Sequence, residues 1–97
     1  MSDHDSKHGH VHQSHEAIIK RLKRADGHLR SIIVMLEEGR GCVDVAQQLH
    51  AVEKAVLQAK RTLIQDHVDH CLEAAIHDDH AGQHKAIDEF KEIVKYL

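Results

Sequence analysis

From Val43 to Ile76 the chain runs without a single Gly or Pro. Apolar residues recur through this stretch at Val45, Leu49, Val52, Val56, Ala59 and Leu63, in alternating steps of four and three, which is the repeat of one α-helical face. The spacing predicts one long helix, and everything else in the chain has to pack around it. The 97 residues contain no Pro, five Gly, one Phe, one Tyr and no Trp, so the interior must be built from Leu, Ile, Val and Ala. That composition suits helix-on-helix packing, and a chain this short buries too little surface alone, so association is expected.

Two further helices are expected beside the long one. Residues 1 to 13 (MSDHDSKHGHVHQ) are polar, carry His4, His8, His10 and His12, and have no apolar repeat; they read as a disordered His-rich tail ahead of a single helical domain over 14–97. Ser14 is placed to cap a first helix from about His15 to Glu38, with Ile18, Leu22, Ala25, Leu29, Ile32, Ile33 and Leu36 on its core face. Gly39-Arg40-Gly41 ends it. Gly82 marks the next break, and a short third helix from about Gln83 to Tyr96 presents Ala86, Ile87, Phe90, Ile93, Val94 and Leu97.

The chemistry of the chain concentrates at Cys42, His67 and Cys71. Cys42 stands at the start of the long helix, where unpaired N–H groups and the helix dipole favour a thiolate. His67 and Cys71, at i and i+4, share a helix face. Cys42 and His67 are 25 positions apart, roughly 37 Å along a helix at about 1.5 Å per residue, so one ion cannot join them within one chain. Two such helices packed antiparallel would unite them, giving a dimer with two equivalent sites of two sulfurs and one nitrogen each. Taken alone, the His67/Cys71 pair also fits ordinary packing, since buried Cys often behaves as a small hydrophobe.

Charge is unevenly spread under the net value of −3. Residues 18 to 61 carry nine Lys and Arg against five acids, while residues 62 to 97 carry three Lys against eight acids. Lys20, Arg21, Lys23, Arg24, Lys60 and Arg61 form the basic clusters, which read either as a solvated helix face or as groups for nucleic-acid phosphates. No stretch has the length of a membrane span and the N-terminus does not read as a signal peptide. A cytoplasmic protein is expected, in which two cysteines serve metal binding or redox sensing better than a structural disulfide. No Gly-rich turn, oxyanion loop or CxxC pair accompanies them, so the chain does not read as an enzyme or a zinc finger.

Over residues 15 to 97 the chain resembles the CsoR/RcnR family of metal- and small-molecule-responsive transcriptional repressors. The resemblance is carried by Arg21-Leu22-Lys23-Arg24-Ala25-Asp26-Gly27-His28-Leu29, by Cys42-Val43-Asp44-Val45, by Gln47-Gln48-Leu49 and Ala51-Val52, and by His67-Val68-Asp69-His70-Cys71. It implies an all-α protomer, an antiparallel dimer assembled into a flat homotetramer, and operator DNA bound without a helix-turn-helix and released when an inducer fills the site between subunits.

The resemblance also implies a ligand set. The family's three helix positions fall on Cys42, His67 and Cys71, and the tail ligand of nickel/cobalt-type members, 32 residues before the first cysteine, falls on His10. Copper-type members use the helix residues alone and commonly have a tyrosine where this chain has Gly41. Persulfide sensors have cysteine in place of His67, and formaldehyde sensors use an N-terminal proline where Ser2 stands. His10, Cys42, His67 and Cys71 are therefore expected to bind Ni(II) or Co(II), with Cu(I) or Zn(II) as alternatives. The expected function is a metal-sensing repressor of a metal-efflux gene. The alternatives are a copper or formaldehyde sensor of the same family, or a metal-trafficking protein with no DNA role. His70 reads as an outer partner of the site, and His28, His50, His77, His80 and His84 as surface or packing residues.

Overall fold

A computed structural model describes residues 13–77 and 79–97. Among the described residues there are three helices: α1 over Gln13–Glu37, α2 over Cys42–His77 and α3 over His80–Ile93, the last followed by a 3-10 turn over Val94–Tyr96. Among the described residues there is no β-strand. The long helix expected from the sequence is present as 36 unbroken residues. The expected tail, apart from Gln13, lies outside the described residues, and His10 lies there with it.

The chain divides into two compact units. The first, Glu16–Lys60, is a helical hairpin made from most of α1 and the first half of α2. Its corner follows from one glycine. Gly39 takes φ +74, a left-handed conformation that costs a residue with a Cβ. The Gly39 N–H then donates to the Leu36 carbonyl at 3.1 Å and the Arg40 N–H to the Met35 carbonyl at 2.9 Å, a Schellman closure that satisfies the last carbonyls of α1. The chain is released into α2 at Gly41, whose carbonyl accepts the first helical bond, from the Val45 N–H at 3.1 Å. A hydrogen bond between His28 Nε2 and Gln48 Oε1 ties the two arms together.

On α1 the buried positions are Ile18, Ala25 and Ile32, and on this part of α2 they are Val45 and Ala59. The α1 residues recur every seven positions, two helical turns, and form a narrow stripe. The wider face expected from the sequence is only partly buried: Leu22, Leu29, Ile33 and Leu36 stay exposed, Leu36 at 59%. Leu49, Val56 and Leu63 on α2 are likewise exposed.

The second unit comprises the first residues of α1 and Arg61–Leu97. Ile64, Cys71 and Ala86 are its buried apolar residues. Two expected helix ends are corrected here. Ser14 does not cap α1, because Gln13 is already helical and the buried Ser14 hydroxyl bonds to no other described group. The third helix begins at His80, not near Gln83, because Asp79 caps it: its carboxylate accepts from the Gly82 N–H at 2.8 Å and its carbonyl from the Gln83 N–H at 2.8 Å. Gly82 therefore sits in the first turn of α3, where its N–H serves the cap, and does not break the chain.

Candidate metal centre

The last turns of α2 and the middle of α3 bring His67, Cys71 and Glu89 together, with one potential ligand atom from each lying within 4.8 Å of the others. His67 and Cys71 meet because they are one turn apart on a helix with no breaker. Glu89 arrives from α3, three residues after the buried Ala86, at the flank of the face that α3 packs inward. Its Oε1 is 3.9 Å from His67 Nε2. The imidazole is about one-third exposed and the carboxylate about half exposed.

Cys71 is 3% exposed. Its thiol is pushed above the ordinary value of 9.0, first by burial and then by the negative charge of Glu89, both of which disfavour a thiolate. Beside it Leu72, Ala75, Ala86, Ile87 and Phe90 enclose an apolar pocket of about 100 Å³. His67 also borders a larger recess of about 350 Å³, with Ile93 and Tyr96 in its lining and Asp88, Glu89 and Glu92 beside them. The sulfur and the imidazole thus both border apolar surface, and on the His67 side carboxylates stand at the edge.

Donor chemistry decides what fits here. One thiol and one imidazole suit a soft or borderline ion, and a carboxylate in the third place is harder than such an ion prefers. The group therefore reads as an incomplete soft site whose third corner a second thiolate would improve. Cys42, the other free cysteine, is exposed at the first residue of α2 and is not in this group. Of the expected ligands the structure unites His67 and Cys71, keeps Cys42 out of their group, and does not describe His10.

Glu89 was not anticipated from the sequence. Its one signal is the i+3 offset from Ala86 within Ala86-Ile87-Asp88-Glu89-Phe90, which sets an acid at the edge of an apolar stripe. His70 is exposed and outside the group. The six expected phosphate-binding residues, Lys20, Arg21, Lys23, Arg24, Lys60 and Arg61, are all exposed. Among the described residues none of the six joins an ion pair, whereas Arg30 is held by Asp26 at 2.9 Å. No described helix is long and apolar enough to cross a membrane.

Residues 14–96 match the family model described as metal-sensitive transcriptional repressor. The chain is 45% identical over 80 residues to the copper-sensing transcriptional repressor CsoR of Mycobacterium ulcerans, an alignment covering 82% of this chain and 67% of the relative. It is 37% identical over 82 residues to the copper-sensing transcriptional repressor CsoR of Bacillus subtilis, covering 82% and 81%. With the copper-sensing transcriptional repressor RicR of Mycobacterium tuberculosis it shares 35% identity over 75 residues, 77% of each chain. The matched segment spans about two thirds of the length of the mycobacterial CsoR proteins. No solved structure is a significant match.

Proposed function

Because the chain belongs to the family of metal-sensitive transcriptional repressors, and so is a regulator and not an enzyme, we propose that it holds operator DNA when metal-free and releases it when Cu(I) enters a site made of Cys42, His67 and Cys71. The observation that carries this is the convergence of His67 and Cys71 in a group whose remaining member, Glu89, is a poor ligand for a soft ion. Cys42 of a second copy replaces Glu89 as the third corner, giving two thiolates and one imidazole, a trigonal set that satisfies Cu(I). The names of the relatives support copper, whereas nothing in them supports the Ni(II) or Co(II) expected from the sequence.

In this reading the active form is a cytoplasmic homotetramer, a dimer of dimers, that controls a metal-efflux gene. Lys20, Arg21, Lys23, Arg24, Lys60 and Arg61 meet phosphates, and readout rests on backbone and shape because no aromatic or recognition helix accompanies them. Membership of a family of transcriptional repressors favours a DNA-binding protein over a metal carrier. The bound ion supplies the cross-link. The chain's own residues do the rest: Cys71 and the second copy's Cys42 each give up a proton to water, His67 exchanges the Glu89 carboxylate for the ion, and the Cys42 end of the second copy's α2 is drawn toward the site. That movement shifts the adjoining corner and α1, with its basic residues, and biases the assembly away from its DNA-competent form.

Nickel or cobalt is the second reading, favoured by one observation: a histidine stands at position 10, within a stretch that also carries His4, His8 and His12. It would complete a two-sulfur, two-nitrogen set compatible with Ni(II), Co(II) or Zn(II). A fluorescent DNA fragment from upstream of the chain's own gene, bound by apo-protein and titrated with Cu(I), Ni(II), Co(II) and Zn(II), separates the two. Cu(I) should release the DNA from the full chain, from His10→Ala and from a chain lacking residues 1–13 alike. Release by Ni(II) or Co(II) alone, lost with His10, would put the second reading in its place. In the same assay Arg21→Ala and Arg61→Ala should weaken binding and flatten its salt dependence; affinity and slope unchanged in both would count against a DNA role for these groups.

A further inference from the structure

His80 and His84 occupy the first two turns of α3, and both are exposed. Their ring centroids lie 4.7 Å apart with the planes at 83°. At i and i+4 they project from one helix face, and no core contact fixes the rings, since both stand in solvent.

Coordination geometry gives that separation a meaning. An imidazole nitrogen binds a first-row divalent ion such as Zn(II) at about 2.0–2.1 Å, and the ring centre lies about 1.2 Å behind the nitrogen, so the ion sits about 3.2 Å from the centre. Two rings on one ion then have centres about 4.5 Å apart at a right angle and about 5.2 Å apart at a tetrahedral angle. The rings themselves meet edge-on at 4.7 Å, so both side chains reach one small volume, and rotation about their solvent-exposed side-chain bonds turns one nitrogen of each toward a shared ion. We infer that His80 and His84 form a second, surface metal site that chelates a borderline divalent cation of the zinc, nickel and copper(II) class through two imidazoles, with water completing the coordination.

The site differs in kind from the one at His67 and Cys71. It has no sulfur, the donor that selects Cu(I), and imidazole suits divalent zinc, nickel and copper. One effect opposes it: the start of a helix is its positive end. Asp79, the N-cap directly before His80, and Asp88, one turn beyond His84 on the same face, place negative charge on either side. Lys85 is at i+1 from His84 and so projects from a different face. A bound ion would clamp the first turn of α3 directly after the break from α2, a place otherwise held by the Asp79 cap.

Zn(II) added to the full chain tests this, with the imidazole Cε1–H signals of His80 and His84 followed by NMR so that the tail histidines do not confuse the reading. Both signals should move along one shared isotherm. In His84→Asn the His80 response should be lost, and in His80→Asn that of His84. By equilibrium dialysis each single variant should hold one Zn(II) fewer per chain than the unmodified protein, and the double variant should lose no more than either. Both side chains are exposed, so unchanged helix content by circular dichroism is expected for all three. Unshifted signals, an isotherm for one histidine that survives removal of the other, or equal zinc content across the variants would each overturn the inference.

Discussion

A thiol that is buried and beside a carboxylate resists losing its proton, and Cys71 is in both situations. Its folded pKa lies above the unfolded value, so the folded chain binds this proton more tightly. The resulting stabilisation is fully present below the ordinary value of 9.0 and is lost as pH rises through and beyond it. Metal capture runs the other way: it requires the thiolate, so uptake releases a proton and strengthens with rising pH. Glu89→Gln removes the smaller of the two causes. In a titration followed by thiolate absorbance the Cys71 midpoint should fall while staying above that of an unburied thiol; an unmoved midpoint would show that the thiol does not feel Glu89. His67 and Cys71 were legible in the sequence because a four-residue offset on a helix has one geometry. Glu89 was not, since which side of α3 meets α2 is decided by packing between segments that sequence spacing does not encode.

At the level of elements, two short polar devices decide where helices stop and start. Gly39 closes α1 through its positive φ, and Asp79 opens α3 through its carboxylate. Gly39→Ala should cost about 1–2 kcal/mol, the penalty for a Cβ in left-handed backbone, and Asp79→Ala about 1 kcal/mol, the usual loss of an N-cap. Urea unfolding checks both totals, and hydrogen exchange should place the Asp79 effect in the first turn of α3; midpoints unchanged from the parent would remove these residues from their roles. The Gly39-Arg40-Gly41 end was legible because a glycine just past an apolar repeat is a reliable stop. The α3 start was misread because a glycine was weighted above an aspartate three residues earlier. Inside a first turn, Gly82 contributes an N–H to the cap, and its weak helix propensity matters little there.

For the whole molecule, the apolar groups left uncovered are the main fact. Leu22, Leu29, Ile33 and Leu36 on α1, with Leu49, Val56 and Leu63 on α2, are large and exposed in the single chain. The sequence marked the α1 residues as core and the α2 residues as one apolar helix face, and the helical repeat cannot distinguish a face buried within a chain from one buried between chains. The proposed pairing of copies can be tested by mixing. A Cys42→Ala chain combined with a His67→Ala/Cys71→Ala chain should regain some intact metal sites that neither variant has alone. No regained sites, or a stable monomer that binds metal through all three residues, would defeat the antiparallel arrangement.

The unbroken run of α2 from Cys42 to His77 has one more effect in such a pair. Each helix carries half of one site at its start and half of the other near its end. The first ion to bind fixes how the two helices lie against each other, and so brings the second pair of half-sites into register before any metal reaches it. Uptake by the dimer should therefore be positively cooperative, with a Hill coefficient above one, so that derepression follows metal concentration as a threshold and not as a gradual slope; a coefficient of one would mean that the two ends of the helix fill independently.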